Sequence, residues 1–273
     1  MFKSATRLMV VVAASSLALL GSLSCSTVAL TGRHQLTLVP ESEMLSVSQQ
    51  QYGQFLSENK VSTDADGNAR LQRVGARISK AVEDYAKQTD HPNALEGYKW
   101  EFKLVESKEV NAWCMPGGKV VFYTGILPVC KDDDGMAVVM GHEVAHAVAR
   151  HGNERMSQQL MVQLGGTALE VALHSKPQET QQMWMGAFGA GAQYGLLLPF
   201  GRGQESEADH LGLIFMAMAG YDPHHAVEFW QRMAAQGGGE KPPEFMSTHP
   251  SDEKRIAAIQ QELPEALKYY KPK

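Results

Sequence analysis

The 273-residue sequence predicts an α+β fold that is mostly helical, with a small β-sheet beside one helix that carries a metal-binding pattern. Three observations carry this expectation. Residues 142–146 read His-Glu-Val-Ala-His inside an apolar run over 136–152 that has helix signals at both ends. Residues 119–124 (KVVFYT) are β-branched and aromatic and stand between Gly117-Gly118 and Gly125, as a strand should. After Asp134 the chain is dominated by helical stretches.

In chain order, residues 1–24 read as a secretory signal: Lys3 and Arg7, an apolar stretch over 8–23, then small residues before Cys25. The stretch is short for a membrane span. Ser24 before Cys25 fits a bacterial lipoprotein, whereas Ser22 and Leu23 depart from the lipobox order. The expectation is an exported, periplasmic body, held at the outer membrane by a lipid on Cys25 and joined to it by an extended tether over 25–40. Residues 41–60 and 69–90 read as helices with a turn at 63–68 between them, and 100–105 as a short strand. The span 41–273 is expected to form one domain, which its length allows. Without residues 1–24 the formal charge moves from −5 to −7, since only Lys3 and Arg7 are lost. No basic patch with interleaved aromatics accompanies it, so nucleic acid is not an expected partner. Cys114 and Cys130 could pair in an oxidising compartment or remain two buried thiols.

The helix over 136–152 has Asp132, Asp133 and Asp134 at its start, Arg150 and His151 near its end, and Gly152 placed to terminate it. In a helix, residues four apart share a face, so His142 and His146 can present two imidazoles to one ion, with Glu143 beside them as a proton acceptor. Zinc needs a third protein ligand. His151 is a poor candidate, about 140° around the helix from His146, and Ala149 and Gly152 stand where the metzincin pattern wants Gly and His. Glu205 and Asp209, in Glu205-Ser-Glu-Ala-Asp209, are four apart at the start of a helical run over 208–219. One carboxylate could bind the ion while the other orients a ligand histidine; Glu207 is expected to point elsewhere, into solvent. The segment 183–200 has no charged residue and carries Gly186, Gly189, Gly191 and Gly195. It is expected to be a packed helix and mobile loop leading to Glu205. With its surroundings it would form a helical hairpin and lid over 155–203, lying near the membrane surface or gating the cleft.

The pairing of Gly141-His-Glu-Val-Ala-His146 with Glu205-Ser-Glu-Ala-Asp209 resembles metallopeptidase family forty-eight, the group of CAAX prenyl, HtpX-type and Oma-type proteases, nearest its periplasmic BepA-like quality-control members. Asn111-Ala-Trp-Cys-Met-Pro-Gly-Gly118 is similar to the family's N-A-x-x-x-P-G-G strand, with Trp113 where Phe is usual. Ser247-Thr-His-Pro and Arg255 are similar to its C-terminal element. The resemblance covers about residues 71–259 and implies a zincin-type (gluzincin) catalytic domain with one Zn2+. It also implies His142, His146 and Glu205 as ligands, Asp209 as the residue orienting a ligand, and Glu143 as general base.

A zinc hydrolase of this kind acidifies water, and Glu143 takes the proton and returns it to the leaving amine. His249 and Arg255 are candidate oxyanion partners; the resemblance also implies that His249 could approach the zinc and hold the enzyme latent. The strand 119–124 is either an exposed edge on which an extended peptide pairs through its backbone or an interior strand with no free edge; the sequence alone fits both equally. The expected function is a zinc endopeptidase acting on misfolded or misassembled envelope proteins. The alternative is a client-binding, chaperone-like lipoprotein in which proteolysis is secondary. Oligomeric state is not legible.

Overall fold

The structure is a computed structural model describing residues 25–236, 243–249 and 253–272. The signal segment over 1–24 lies outside the described residues, as does Pro250. The elements run β1 (Cys25–Thr27), β2 (His34–Leu36), α1 (Glu41–Glu58), α2 (Ala65–Gln88), β3 (Glu101–Val105), β4 (Ala112–Met115), β5 (Lys119–Tyr123), and a helical turn α3 (Leu127–Cys130). There follow α4 (Asp133–Val148), α5 (His151–Leu173), α6 (Gln178–Ala192), a π-helical turn (Gln193–Leu197), α7 (Leu198–Met218), α8 (His225–Gln236), α9 (Glu244–Thr248) and α10 (Glu253–Ala266). The mostly helical α+β class is as the sequence implied.

The N-terminal segment is not a tether. It folds back as an antiparallel pair, Cys25 opposite Leu36 and Thr27 opposite His34. Its connecting turn is pinned to the body because Arg33 donates to both carboxylate oxygens of Glu154 at 2.8 and 2.9 Å. Leu38 N–H reaches Ser157 Oγ at 2.8 Å. Charge-assisted fork contacts of this kind are among the stronger polar interactions, and a composition reading of 25–40 could not see them.

α2 begins earlier than expected because Asp64 caps it, accepting from Gly67 N–H at 3.2 Å. Its Leu71, Val74, Ile78, Val82 and Tyr85 form one buried stripe at helical spacing. The three-stranded sheet has order β3-β5-β4, with β3 parallel and β4 antiparallel to β5. β5 is therefore the central strand, so of the two readings open at 119–124 the interior strand is the one the structure takes. The outer edge belongs to β4. Val120, Val121 and Phe122 of β5 are all fully buried, as a central strand requires.

α4 sits in the core, buried along nearly its whole length. Asp132 caps it through Gly135 N–H at 2.9 Å. It ends at Val148, not at Gly152: Arg150 adopts a left-handed backbone (φ 59°), and α5 starts at once with Gly152 in its first turn. α4 crosses α7 at a pair of glycines. A Cβ on Gly141 would stand 2.7 Å from Gly212 O, and one on Gly212 would stand 2.9 Å from His142 N. Two residues without side chains let the backbones touch, and that contact brings His142 opposite Glu205 and Asp209 in the middle of α7. The loop expected before Glu205 is absent, and α7 is helical from Leu198, with Pro199 in its first turn where a missing N–H costs nothing.

α5 and α6 form the expected helical hairpin. The buried side chains of α5 are confined to its first turns, and α6 has none. No helix among the described residues is long and apolar enough to cross a membrane.

Candidate metal centre

Helical geometry delivers the donors in pairs. His142 and His146 are one turn apart on α4 and their Nε2 atoms lie 3.1 Å apart. Glu205, on the facing side of α7, places Oε2 3.4 Å from His142 Nε2 and Oε1 3.2 Å from His146 Nε2. His249 follows α9 and puts Nδ1 3.1 Å from His142 Nε2 and 3.0 Å from Glu205 Oε2. The donor atoms of these four residues all fall within 4.8 Å of one another. A tetrahedral ion with bonds near 2.0–2.1 Å separates its ligands by about 3.3 Å, so the spacing matches zinc. Bare imidazole nitrogens and carboxylate oxygens brought this close repel without a cation among them, and the donor set is the nitrogen-and-oxygen type zinc takes.

The two rings are held from behind in different ways. His142 Nδ1 meets Asp209 Oδ1 at 2.9 Å. Asp209, one turn after Glu205, is itself clamped by Arg255 through Nε and Nη2, both at 2.8 Å. The Arg255 guanidinium lies 3.6 Å over the Trp230 ring and 3.3 Å from Glu205. The expectation that Glu205 and Asp209 share a face is met, and Arg255, whose side chain is 8% exposed, lies inside the site. His146 Nδ1 meets His151 Nδ1 at 2.7 Å, and His151 Nε2 meets Glu207 Oε2 at 2.8 Å. Glu207 also accepts from Arg33 Nε at 2.6 Å and from the Thr31 hydroxyl.

Glu207 therefore corrects the sequence expectation: its side chain is 7% exposed, not solvated. The helical-wheel argument against His151 assumed that α4 continues through it. The left-handed Arg150 breaks the helix and swings His151 back behind His146. An Arg in that backbone state leaves no signature in sequence, so the contact was not legible there.

Glu143 points into the same space, buried, with Oε1 3.3 Å from His249 Nε2 but making no hydrogen bond. Burial raises its carboxyl above the ordinary carboxylate value, with His249 and His142 pulling the other way. Burial also acts against a charge on His142, yet the bonds from Asp209 and Glu205 outweigh it and push this ring up to about 9. The site thus attracts positive charge at that position. Burial holds His146 well below its usual value, in the neutral form a metal ligand needs. Glu205 is lowered against the cost of burial by its contacts with the three histidines. Asp209 is lowered likewise by Arg255 and His142. All seven residues singled out in the sequence, His142, Glu143, His146, Glu205, Asp209, His249 and Arg255, converge here. Cys114 and Cys130 do not: both are free thiols, raised by burial, Cys130 to about 12.

A core helix bearing H-E-x-x-H, faced by a second helix that donates a carboxylate, with a small sheet alongside, defines a zincin-type metallopeptidase fold. The chain belongs to peptidase family M48, whose model matches residues 72–263. It is 41% identical over 175 residues to the mitochondrial metalloendopeptidase OMA1 of Schizosaccharomyces pombe, covering 64% of this chain and 50% of that protein. It is 29% identical over 244 residues to human OMA1, covering 88% and 46%. To the beta-barrel assembly-enhancing protease of Yersinia pestis it is 31% identical over 166 residues, covering 58% and 33%. The chain thus spans about half the length of the OMA1 relatives it matches.

Proposed function

We propose that this chain is a zinc-dependent endopeptidase in which His142, His146 and Glu205 hold the ion and Glu143 is the general base. The observation that carries the reading is the four-residue donor group with the unbonded Glu143 Oε1 beside it. Zinc held there supplies Lewis acidity toward water and a peptide carbonyl. Glu143, raised by burial, is suited to take a proton from water and deliver it to the leaving amine. Asp209 and Arg255 orient the His142 ring. His249 sits where a fourth ligand belongs, 3.0 Å from Glu205 Oε2, which supports the latent-state role over the oxyanion role. An extended peptide would pair with the outer edge of β4, whose residues run alongside α4; backbone pairing reads little side-chain identity. That suits misfolded or misassembled envelope proteins as substrates, and the export and lipid-anchor reading of residues 1–25 belongs to the same proposal.

The test is zinc analysis together with casein digestion, on the wild type and on Glu143→Gln. Retained zinc with lost cleavage supports the reading. A wild type that binds no zinc, or a Glu143→Gln protein that cleaves normally, overturns it. Full cellular function in that variant would instead favour a client-binding protein.

A further inference from the structure

We infer that the N-terminal hairpin is a working part of the metal centre: Arg33, acting through Glu207 and His151, fixes the His146 ring with its Nε2 lone pair toward the ion. This rests on the proposed zinc reading and adds positioning residues to it.

The argument is a count of hydrogens. A carboxylate only accepts. Glu207 receives Arg33 Nε–H at 2.6 Å, the Thr31 hydroxyl, and the His151 Nε2 contact at 2.8 Å, so His151 Nε2 must carry a hydrogen. A neutral ring has one N–H, which leaves His151 Nδ1 bare. That bare nitrogen lies 2.7 Å from His146 Nδ1, a distance two lone pairs cannot share, so His146 Nδ1 donates. His146 then has no hydrogen on Nε2, the atom that faces Glu205 and His142. Reversing any hydrogen in this chain puts one on His146 Nε2 and removes it as a ligand.

The His142 side repeats the logic with one link fewer. Asp209 accepts directly from His142 Nδ1 and is anchored by Arg255. Each ligand histidine thus has its own carboxylate on α7, and each carboxylate its own arginine. Asp209 takes Arg255 from the C-terminal helix α10; Glu207 takes Arg33 from the N-terminal hairpin. Arg33 is suited to the task because its other two nitrogens are fixed by Glu154, whose side chain is fully buried and which also receives Gln204 Nε2 at 2.8 Å. The guanidinium cannot drift, so neither can Glu207.

Groups behind metal ligands typically alter metal affinity by about 10–100-fold when replaced. The test is zinc affinity by competition with a chromophoric chelator, on the full chain. His151→Phe is expected to weaken zinc binding within that range, and His151→Asn, which keeps an acceptor oxygen near the Nδ1 position, to restore most of it. Arg33→Lys keeps the charge that two carboxylates require but loses the fork, and is expected to weaken zinc binding several-fold without lowering helix content. Long-range nitrogen–proton NMR of the zinc-loaded wild type should show His151 protonated on Nε2 alone and His146 on Nδ1. Wild-type affinity in His151→Phe and Arg33→Lys, or a His151 protonated on Nδ1, would overturn the inference while leaving the zinc reading intact. Absence of zinc binding in the wild type would sink the reading itself. If His151→Phe does not fold, Arg33→Lys and the NMR assignment decide.

Discussion

The crossing of α4 with α7 and the hairpin of α5 with α6 are built from similar material, apolar helices rich in glycine, and they come out as opposites. At the crossing the glycines are in contact and the polar groups are almost all partnered. In the hairpin, Gly186, Gly189 and Gly191 have nothing within 4 Å, and Leu164, Val171, Met183, Trp184 and Tyr194 are each more than half exposed. What differs is context: α4 carries its charges into a space closed by α2, α7 and the sheet, whereas among the described residues no second layer covers α6. Exposed apolar surface of this extent is the kind that serves contacts with other molecules or membranes; a buried helix with histidines on one face is a site.

The largest effect expected lies at the crossing. Glu143→Gln should lower cleavage by about 10²–10⁴-fold and leave zinc content unchanged, measured by peptide turnover and metal analysis on the same sample. His249→Ala should raise cleavage, because it frees the position 3.0 Å from Glu205 that His249 fills. A collapse of activity would return His249 to the oxyanion role.

A sharper comparison uses one chemical change in both places. Gly212→Ala adds a methyl group 2.9 Å from His142 N and should destabilise by about 1–3 kcal/mol. It should also weaken zinc binding, because the helices must part and His142 moves with α4. Gly189→Ala adds the same methyl group in open space within α6. It should stabilise by up to about 1 kcal/mol, since glycine costs a helix more than alanine. Urea denaturation of both variants decides the matter. If they shift in the same direction, the close-crossing argument is wrong.

The contrast also explains what could be read from the sequence. His142, His146, Glu205 and Asp209 were legible because helical spacing alone puts each pair on one face, and α4 and α7 are regular across them. Glu207 and His151 were not, because their meeting depends on the left-handed backbone of Arg150 and on a hairpin docking from 174 residues away. The central position of β5 was hidden for a similar reason. Strand order is a matter of long-range pairing, and 119–124 reads the same at an edge or in the middle. The hairpin's helices were legible from composition; their exposure among the described residues was not.

The cysteines offer a smaller test of burial. Cys130 is fully buried, with burial pushing its thiol up to about 12, and Cys114 is raised in the same direction. At pH 7–8 neither is a thiolate, so both should alkylate slowly in the native protein and fully after unfolding in urea, as free thiols. A mass shift on reduction after unfolding would show a disulfide instead.

The smallest stability effect belongs to the hairpin, and there a null in one measurement makes the other informative. Trp184→Ser changes a half-exposed side chain that packs no core, so unfolding free energy should move by less than about 0.5 kcal/mol. If the hairpin over 155–203 gates the cleft or lies at a membrane surface, the same substitution should nonetheless reduce binding to phospholipid vesicles. Shortening the hairpin beyond Gln158, the last of its buried residues, should raise cleavage of an unfolded substrate. The base of α5 must be kept in such a deletion, since Glu154 and Ser157 hold the N-terminal segment. Unchanged vesicle binding and unchanged kinetics would mean that the exposed apolar surface serves neither role, although it costs the fold nothing to keep.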